Sequence, residues 1–194
     1  MNLSAPVYWL LAYLLGSLPF GLWVTRLVKG VDVRDGGSGH VTTTNTIRQA
    51  GRLAGAVVFV LDLGKGYLAL WLSLQAGLGA GSLALSAALV VAGHCWPIFA
   101  QFRGGMGLAT MGGVLLAVSP TGFLLSGVGL GILLIVLRHP ARASLIAALA
   151  SPLILRGLGF PSDAVWVAAA AGVVVAIRFT IDWNRKYPES GTDD

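Results

Sequence analysis

Long apolar stretches, separated by short polar segments that hold nearly all of the charge, set the pattern of this chain. A segment in hydrocarbon must satisfy its own backbone hydrogen bonds, so these stretches read as helices. A crossing needs about 20 apolar residues. On that basis spans are expected near 5–28, 53–76, 82–101, 106–118, 121–137, 143–158 and 163–180. Met106 to Leu137 contains no charge at all. A single straight helix through it would be roughly 48 Å long, too long for one crossing. Only Ser119-Pro120-Thr121-Gly122 reads as a turn there, so two short helices in a hairpin are expected. The fold class is therefore an all-α polytopic transmembrane bundle of about seven spans.

Composition strengthens this reading. Of 194 residues, 56% are hydrophobic and 11% charged, against about 25% charged in a soluble domain. Mean hydropathy is +0.80, and a water-facing surface cannot be built from such a pool. The basic residues sort by side. Arg26, Lys29, Arg34, Arg48, Arg52, Arg103, Arg138, Arg142, Arg178, Arg185 and Lys186 fall on one face of a seven-span arrangement. Arg156 falls on the other, and Lys65 lies within a span. Basic loops mark the cytoplasmic side, so the N-terminus is expected outside and the C-terminus in the cytoplasm of the inner membrane. The net charge of +5 is then a topology signal, and no nucleic-acid partner is expected.

Cys95 is the single cysteine, which excludes an intrachain disulfide and a Cys-based metal site. No metal-ligand cluster or Ser/His/Asp set emerges, and no cofactor is expected. The run from Pro6 to Val24 lacks a basic leader and a small-residue cleavage site, so it reads as a retained span. Residues 1–186 are expected to form one membrane domain, with 187–194 a disordered acidic tail. Glycines such as Gly112, Gly113, Gly127, Gly129 and Gly131 are expected to let helices approach closely.

Four segments carry candidate chemistry. The first is the loop from Asp35 to Asn45, which gathers glycines, hydroxyls, a histidine and an asparagine between two spans. Its glycines permit φ > 0, so successive N–H groups can form an anion-binding nest, with Arg48 as a further donor. A polar turn with a helix cap at Ser38 or Thr44 is the plainer alternative. The second runs from Gly93 to Gly107, where Arg103-Gly104-Gly105-Met106-Gly107 leads into a span and can offer N–H groups to an anion. His94 lies near it and can equally be a packing residue. The third is Asp62 and Lys65, three apart and so on one helix face, either paired with each other or positioning an anionic head group. The fourth, from Arg178 to Lys186, reads as an interfacial anchor around Trp183.

Taken in order, these segments resemble the bacterial membrane glycerol-3-phosphate acyltransferases that use acyl phosphate as donor. The family pattern G-S-G-N-x-G-A-T-N is matched by Gly37 to Asn45, with Arg48 at the family's arginine position. Leu61 to Gly66 resembles L-D-x-x-K-G, and Gly93 to Thr110 resembles G-H-x-x-P-x-F-x-x-F-K-G-G-K-G-x-A-T. The resemblance covers almost the whole chain. It implies transfer of an acyl chain to the 1-hydroxyl of glycerol 3-phosphate, giving lysophosphatidic acid and phosphate, with the donor's own phosphate taking the hydroxyl proton. It points to Ser38 and His94 as catalytic. Phosphate and substrate contacts would come from Gly37, Gly39, His40, Thr44, Asn45, Arg48, Lys65, Arg103, Gly104, Gly105, Ser144 and Arg178. The implied partners are acyl phosphate, glycerol 3-phosphate or a related polar acceptor, and the bilayer.

Several motif positions are substituted. His40 stands where the family has Asn, and Thr42 where it has Gly. Met106 replaces a lysine, while Phe179 and Asp182 replace a histidine and an asparagine. A β-branched Thr42 is poor wherever φ > 0 is needed. Losing a charged partner of a phosphate weakens binding roughly ten- to a hundredfold. A non-catalytic member that binds lipid phosphate or a membrane partner is therefore the alternative. A small anion transporter is a third reading, opposed by the lack of an internal repeat and of broken mid-span helices.

Overall fold

The computed structural model describes residues 4–181. Nine α-helices carry the described residues: α1 Ala5–Gly16, α2 Phe20–Lys29, α3 Thr43–Ala50, α4 Arg52–Gln75, α5 Ala80–Cys95, α6 Leu108–Val118, α7 Pro120–Leu137, α8 Pro140–Gly157 and α9 Ser162–Ile181. Short 3-10 turns occupy Val33–Asp35 and Ile98–Ala100. The expected anchor at Trp183, Arg185 and Lys186, the acidic tail, and Asp182 lie outside the described residues.

Helices α4, α7 and α9 are long and apolar enough to cross a bilayer, as are the runs Ala5–Lys29 and Ala80–Ala100 taken as units. Helix α6 is apolar but has 11 residues, and α8 carries Arg142, Pro152 and Arg156. Large apolar side chains turn outward: Leu27 is 88% exposed and Ile135 76%. Such a surface suits lipid and not water, and the chain folds as an all-α polytopic membrane bundle.

Local chemistry explains where the helices stop. The first apolar stretch, expected as one span, breaks at Ser17–Pro19 because Pro19 has no N–H and its ring opposes helix continuation. This overturns the expectation that mid-span breaks are lacking. Pro97 likewise follows close on the end of α5 at Cys95, short of the expected residue 101. The expected hairpin within 106–137 is present: extended Ser119 separates α6 from α7, and its Oγ accepts from the Gly122 N–H at 3.1 Å. The polar loop holds a further helix, α3, which the apolar pattern did not announce.

The buried core draws on α1, α4, α5, α6, α8 and α9, with Leu70, Val90, Val114, Leu155 and Val175 inside. Glycines bring backbones into contact there. Gly16 meets the Val90 carbonyl and Gly93 that of Tyr13; Gly66 meets that of Thr110, Gly113 that of Leu63, and Gly172 that of Ala148. A Cβ at any of these positions would collide with backbone, which is small-residue packing of membrane helices. Gly127, Gly129 and Gly131 behave otherwise. A Cβ on any of them meets nothing within 4 Å, so the packing role expected of them is not what α7 uses them for.

Candidate active site

The polar chemistry collects where the α1–α2 break, the middle of α4 and the end of α5 meet under two loops. Asp62 and Lys65 share one face of α4, and the Lys65 Nζ lies 2.8 Å from Asp62 Oδ1. Nζ also donates to the Leu18 carbonyl at 2.9 Å, an acceptor inside the α1–α2 break. The same ammonium sits 5.5 Å from the Phe20 ring centroid. His94 Nδ1 is 3.4 Å from Asp62 Oδ1. All three charged or polar residues are buried. Each has found the partner that an ionisable group at membrane depth needs.

The second loop closes over this cluster. Gly105 donates to the His94 carbonyl at 3.1 Å, and its Cα packs against the His94 ring and the Val41 carbonyl. Only a glycine fits that space. From α9, the buried Arg178 Nε donates to the Gly105 carbonyl at 3.0 Å, with its guanidinium 6.0 Å from the Trp96 ring centroid. Tyr13 Oη donates to the Trp96 carbonyl at 2.9 Å. Leu18, Pro19, Phe20, Val41, Asp62, Lys65, His94, Pro97 and Gly104 line a tight, closely packed recess.

The first loop is organised from below by Asn45, which is fully buried. Its Nδ2 donates to the carbonyls of Val33 at 2.8 Å, Gly36 at 3.1 Å and His40 at 3.0 Å. Its Oδ1 accepts from the Ser38 N–H at 3.1 Å. Gln49 adds a second donor to Val33 O at 2.7 Å and to Gly36 O at 3.1 Å. Gly37 (φ 57) and Gly39 (φ 69) supply the left-handed turns the loop needs. The expected backbone nest is corrected here. The Ser38 N–H binds Asn45 and the Gly39 N–H binds Gly36 O, so both amides serve the loop itself. The Asn45 amide is likewise engaged within the loop, not presented to a ligand.

The expected strain at Thr42 is also absent. Its φ is −125°, and its side chain accepts from the Asn45 N–H as the N-cap of α3. The cap is neither Ser38 nor Thr44. A β-branched residue is comfortable in extended backbone.

Two contacts clasp the loops together. Val41 N–H donates to the Gly104 carbonyl at 3.2 Å, and Arg34 Nη1 donates to the Ala100 carbonyl at 3.1 Å. Arg34 is held by Asp32, with Nε to Oδ1 at 2.9 Å and Nη2 to Oδ2 at 2.7 Å. Arg26 reaches the same Asp32 Oδ2 at 2.8 Å. The Arg34 hydrogen bonds hold the Asp32 carboxyl well below the usual carboxylate range against a smaller opposing effect of burial, and Asp32 in turn raises the Arg34 guanidinium. Arg34, a topology marker by sequence alone, is thus a loop-bridging residue, and the Asp32-x-Arg34 spacing is the signal for it.

The structure thus brings His94, Lys65, Gly104, Gly105 and Arg178 together beside Val41, which follows the buried His40. Ser38 and Gly39 are half-buried, and Gly37 and Thr44 exposed, along the loop above. Arg48 and Arg103 are exposed and do not line the recess. Ser144 is buried in the first turns of α8, also outside the lining. Phe179 is part of the apolar core and Met106 packs against it, so both substituted positions serve hydrophobic packing.

A recess lined by buried Asp62, Lys65 and His94, set in a membrane bundle beneath two loops, defines an integral membrane protein with a polar site among its helices. Comparison with known proteins is specific. Residues 6–186 match the family glycerol-3-phosphate acyltransferase. A glycerol-3-phosphate acyltransferase of Jannaschia sp. (strain CCS1) is 42% identical over 85% of this chain and 81% of its own length. One of Aquifex aeolicus (strain VF5) is 39% identical over 90% of this chain and 91% of its own. The crystal structure of PlsY, an integral membrane glycerol 3-phosphate acyltransferase in its glycerol 3-phosphate form, superposes with a TM-score of 0.83 at 35% identity, covering 93% of this chain and 90% of that one. Its lysophosphatidic acid form gives 0.80 at 34% identity. The chain belongs to the glycerol-3-phosphate acyltransferase family.

Proposed function

We propose that this protein transfers an acyl chain from an acyl phosphate to the 1-hydroxyl of glycerol 3-phosphate. The acyl carbon–phosphate oxygen bond breaks, an ester bond to the glycerol oxygen forms, and lysophosphatidic acid and phosphate leave. The hydroxyl proton goes to the departing phosphate. Ser38 and His94 are assigned to the reacting groups, and Lys65, held by Asp62, supplies positive charge beside them. Charge placed where negative charge develops, on a frame fixed in advance, is the main catalytic resource available. The observation that carries this reading is the convergence of Lys65, His94 and Gly104 in one recess, with Gly105 bonded to the His94 carbonyl, in a chain from this family.

The described helix ends support seven crossings with the active face in the cytoplasm of the inner membrane. The C-terminal ends of α2, α5, α7 and α9 and the N-terminal ends of α4, α6 and α8 carry or adjoin the basic residues. Arg156, at the far end of α8, is the exception. Inserted tags at residue 138 and at residue 158 should then label from opposite sides of sealed vesicles.

A second reading, a non-catalytic member binding lipid phosphate, is favoured by one observation: Met106 and Phe179 are used for packing. Purified protein given acyl phosphate and glycerol 3-phosphate separates the two. Phosphate release well above a protein-free blank is the expected result. Release at blank level, restored in a Met106→Lys/Phe179→His variant, would establish the degenerate member. Transport loses the argument drawn from unbroken helices, since α1 and α2 are broken, but the carbonyl in that break is taken by Lys65.

A further inference from the structure

The loop between α5 and α6 has two faces. The inner one serves the recess: Pro97 and Gly104 line it, and Arg34 and Val41 tie Ala100 and Gly104 to the first loop. The outer one is apolar and open, with Ile98 48% exposed, Phe99 54% and Phe102 58%. A sharp turn gathers these three side chains. Gln101 (φ 57) and Phe102 (φ 60) are both left-handed, an unfavourable conformation for a bulky residue. The turn brings the Phe102 N–H back to the Pro97 carbonyl at 2.9 Å, so the chain at Phe102 returns to the level of Pro97.

That level is the edge of the hydrocarbon. A crossing takes about 20 apolar residues, and the run Ala80–Ala100 is long and apolar enough to be one, so Ile98 and Phe99 stand at its end. Exposed Arg103 follows directly on Phe102. The same mixture recurs at the end of α2, where Leu27 and Val31 are exposed among exposed Arg26 and Lys29. The two stretches flank one buried apolar cluster of Leu22, Val33, Val41 and Ala100. Apolar and aromatic side chains mixed with cations suit the boundary between acyl carbons and head groups. We propose that the outer face of this loop docks into the lipid leaflet, with Ile98, Phe99 and Phe102 among the upper acyl carbons and Arg103 at lipid phosphates. The leaflet then holds the roof of the recess at the depth of its own phosphates. Lipid is the occupant because these residues end a crossing run, where a soluble partner does not reach. The proposal requires the membrane bundle and does not require acyl transfer.

The test attaches a nitroxide to Phe99→Cys, to Phe102→Cys and, as the aqueous reference, to Asp35→Cys on the exposed part of the first loop. The full chain is held in nanodiscs of phosphatidylethanolamine and phosphatidylglycerol. Cys95 is buried, so the wild type should take up no label. Paramagnetic resonance then compares collisions with oxygen, which concentrates in lipid, and with a water-soluble nickel chelate. Oxygen should dominate at 99 and 102, with chelate collisions lost there and retained at 35. Ile98→Cys takes the place of either variant that misfolds. Chelate-dominated collisions at either loop position, matching those at 35, overturn the proposal and leave the outer face to a soluble protein.

Discussion

The two sides of α4 are built on opposite principles. Toward α1 and α5, Asp62, Lys65 and His94 are buried and tied to one another, to Leu18 and to Gly105 by named hydrogen bonds and ion contacts. Toward α7, the walls are apolar, only Gly122 of that helix is fully buried, and a Cβ added at Gly127, Gly129 or Gly131 meets nothing within 4 Å. Buried charge demands fixed partners, because an unpaired ion in low dielectric is expensive. An apolar wall bordering lipid has no such demand and can stay open. The recess side is therefore a rigid frame, and the side toward α7 a yielding one.

The largest blow to that contrast should come from Asp62→Ala. It leaves Lys65 buried without its counter-ion and His94 without its acceptor, at a cost of about 3–5 kcal/mol. The variant should lose thermal stability in detergent sharply and lose acyl transfer; a normal melt would mean that Lys65 has other support. Next comes the clasp between the loops. Arg34→Ala abandons the Ala100 carbonyl and the Asp32 pair, and should cost about 1–3 kcal/mol. It should raise KM for glycerol 3-phosphate.

The clasp also carries a pH signature. The Asp32 carboxyl titrates below its ordinary range in the folded protein. Its contribution is therefore complete above the unfolded value of about 4 and fades as pH falls through the lower folded one. The stability gap between wild type and Asp32→Asn should be constant from neutrality down to about pH 5 and narrow in acid. The smallest effect belongs to the open side. Gly129→Ala should change stability by no more than about 0.5 kcal/mol, because nothing stands near the added methyl. A larger loss would reveal an unseen neighbour for α7.

What was legible in the sequence divides along similar lines. Apolar runs, the Ser119–Gly122 hairpin break and the sidedness of the arginines were readable because each depends on local composition and length. The break at Pro19 was equally local, yet hidden by reading the first stretch as one span. The family pattern points Asn45 at the ligand, whereas its four side-chain partners lie at Val33, Gly36, Ser38 and His40. Only the folded loop brings those groups around one amide. Arg178 meets Gly105 across 73 residues of sequence, a distance over which no spacing rule operates. Thr42 was misjudged for a related reason: a backbone φ is decided by the turn that forms, not by the family pattern alone.

Hydrogen–deuterium exchange of the protein in nanodiscs, with and without saturating glycerol 3-phosphate, bears on the head-group site most directly. Slowed exchange concentrated in residues 36–45 and 101–107, with 128–137 of α7 unchanged, is the outcome expected of a phosphate held beneath the two loops. Protection confined to other segments, or none at saturation, would contradict it.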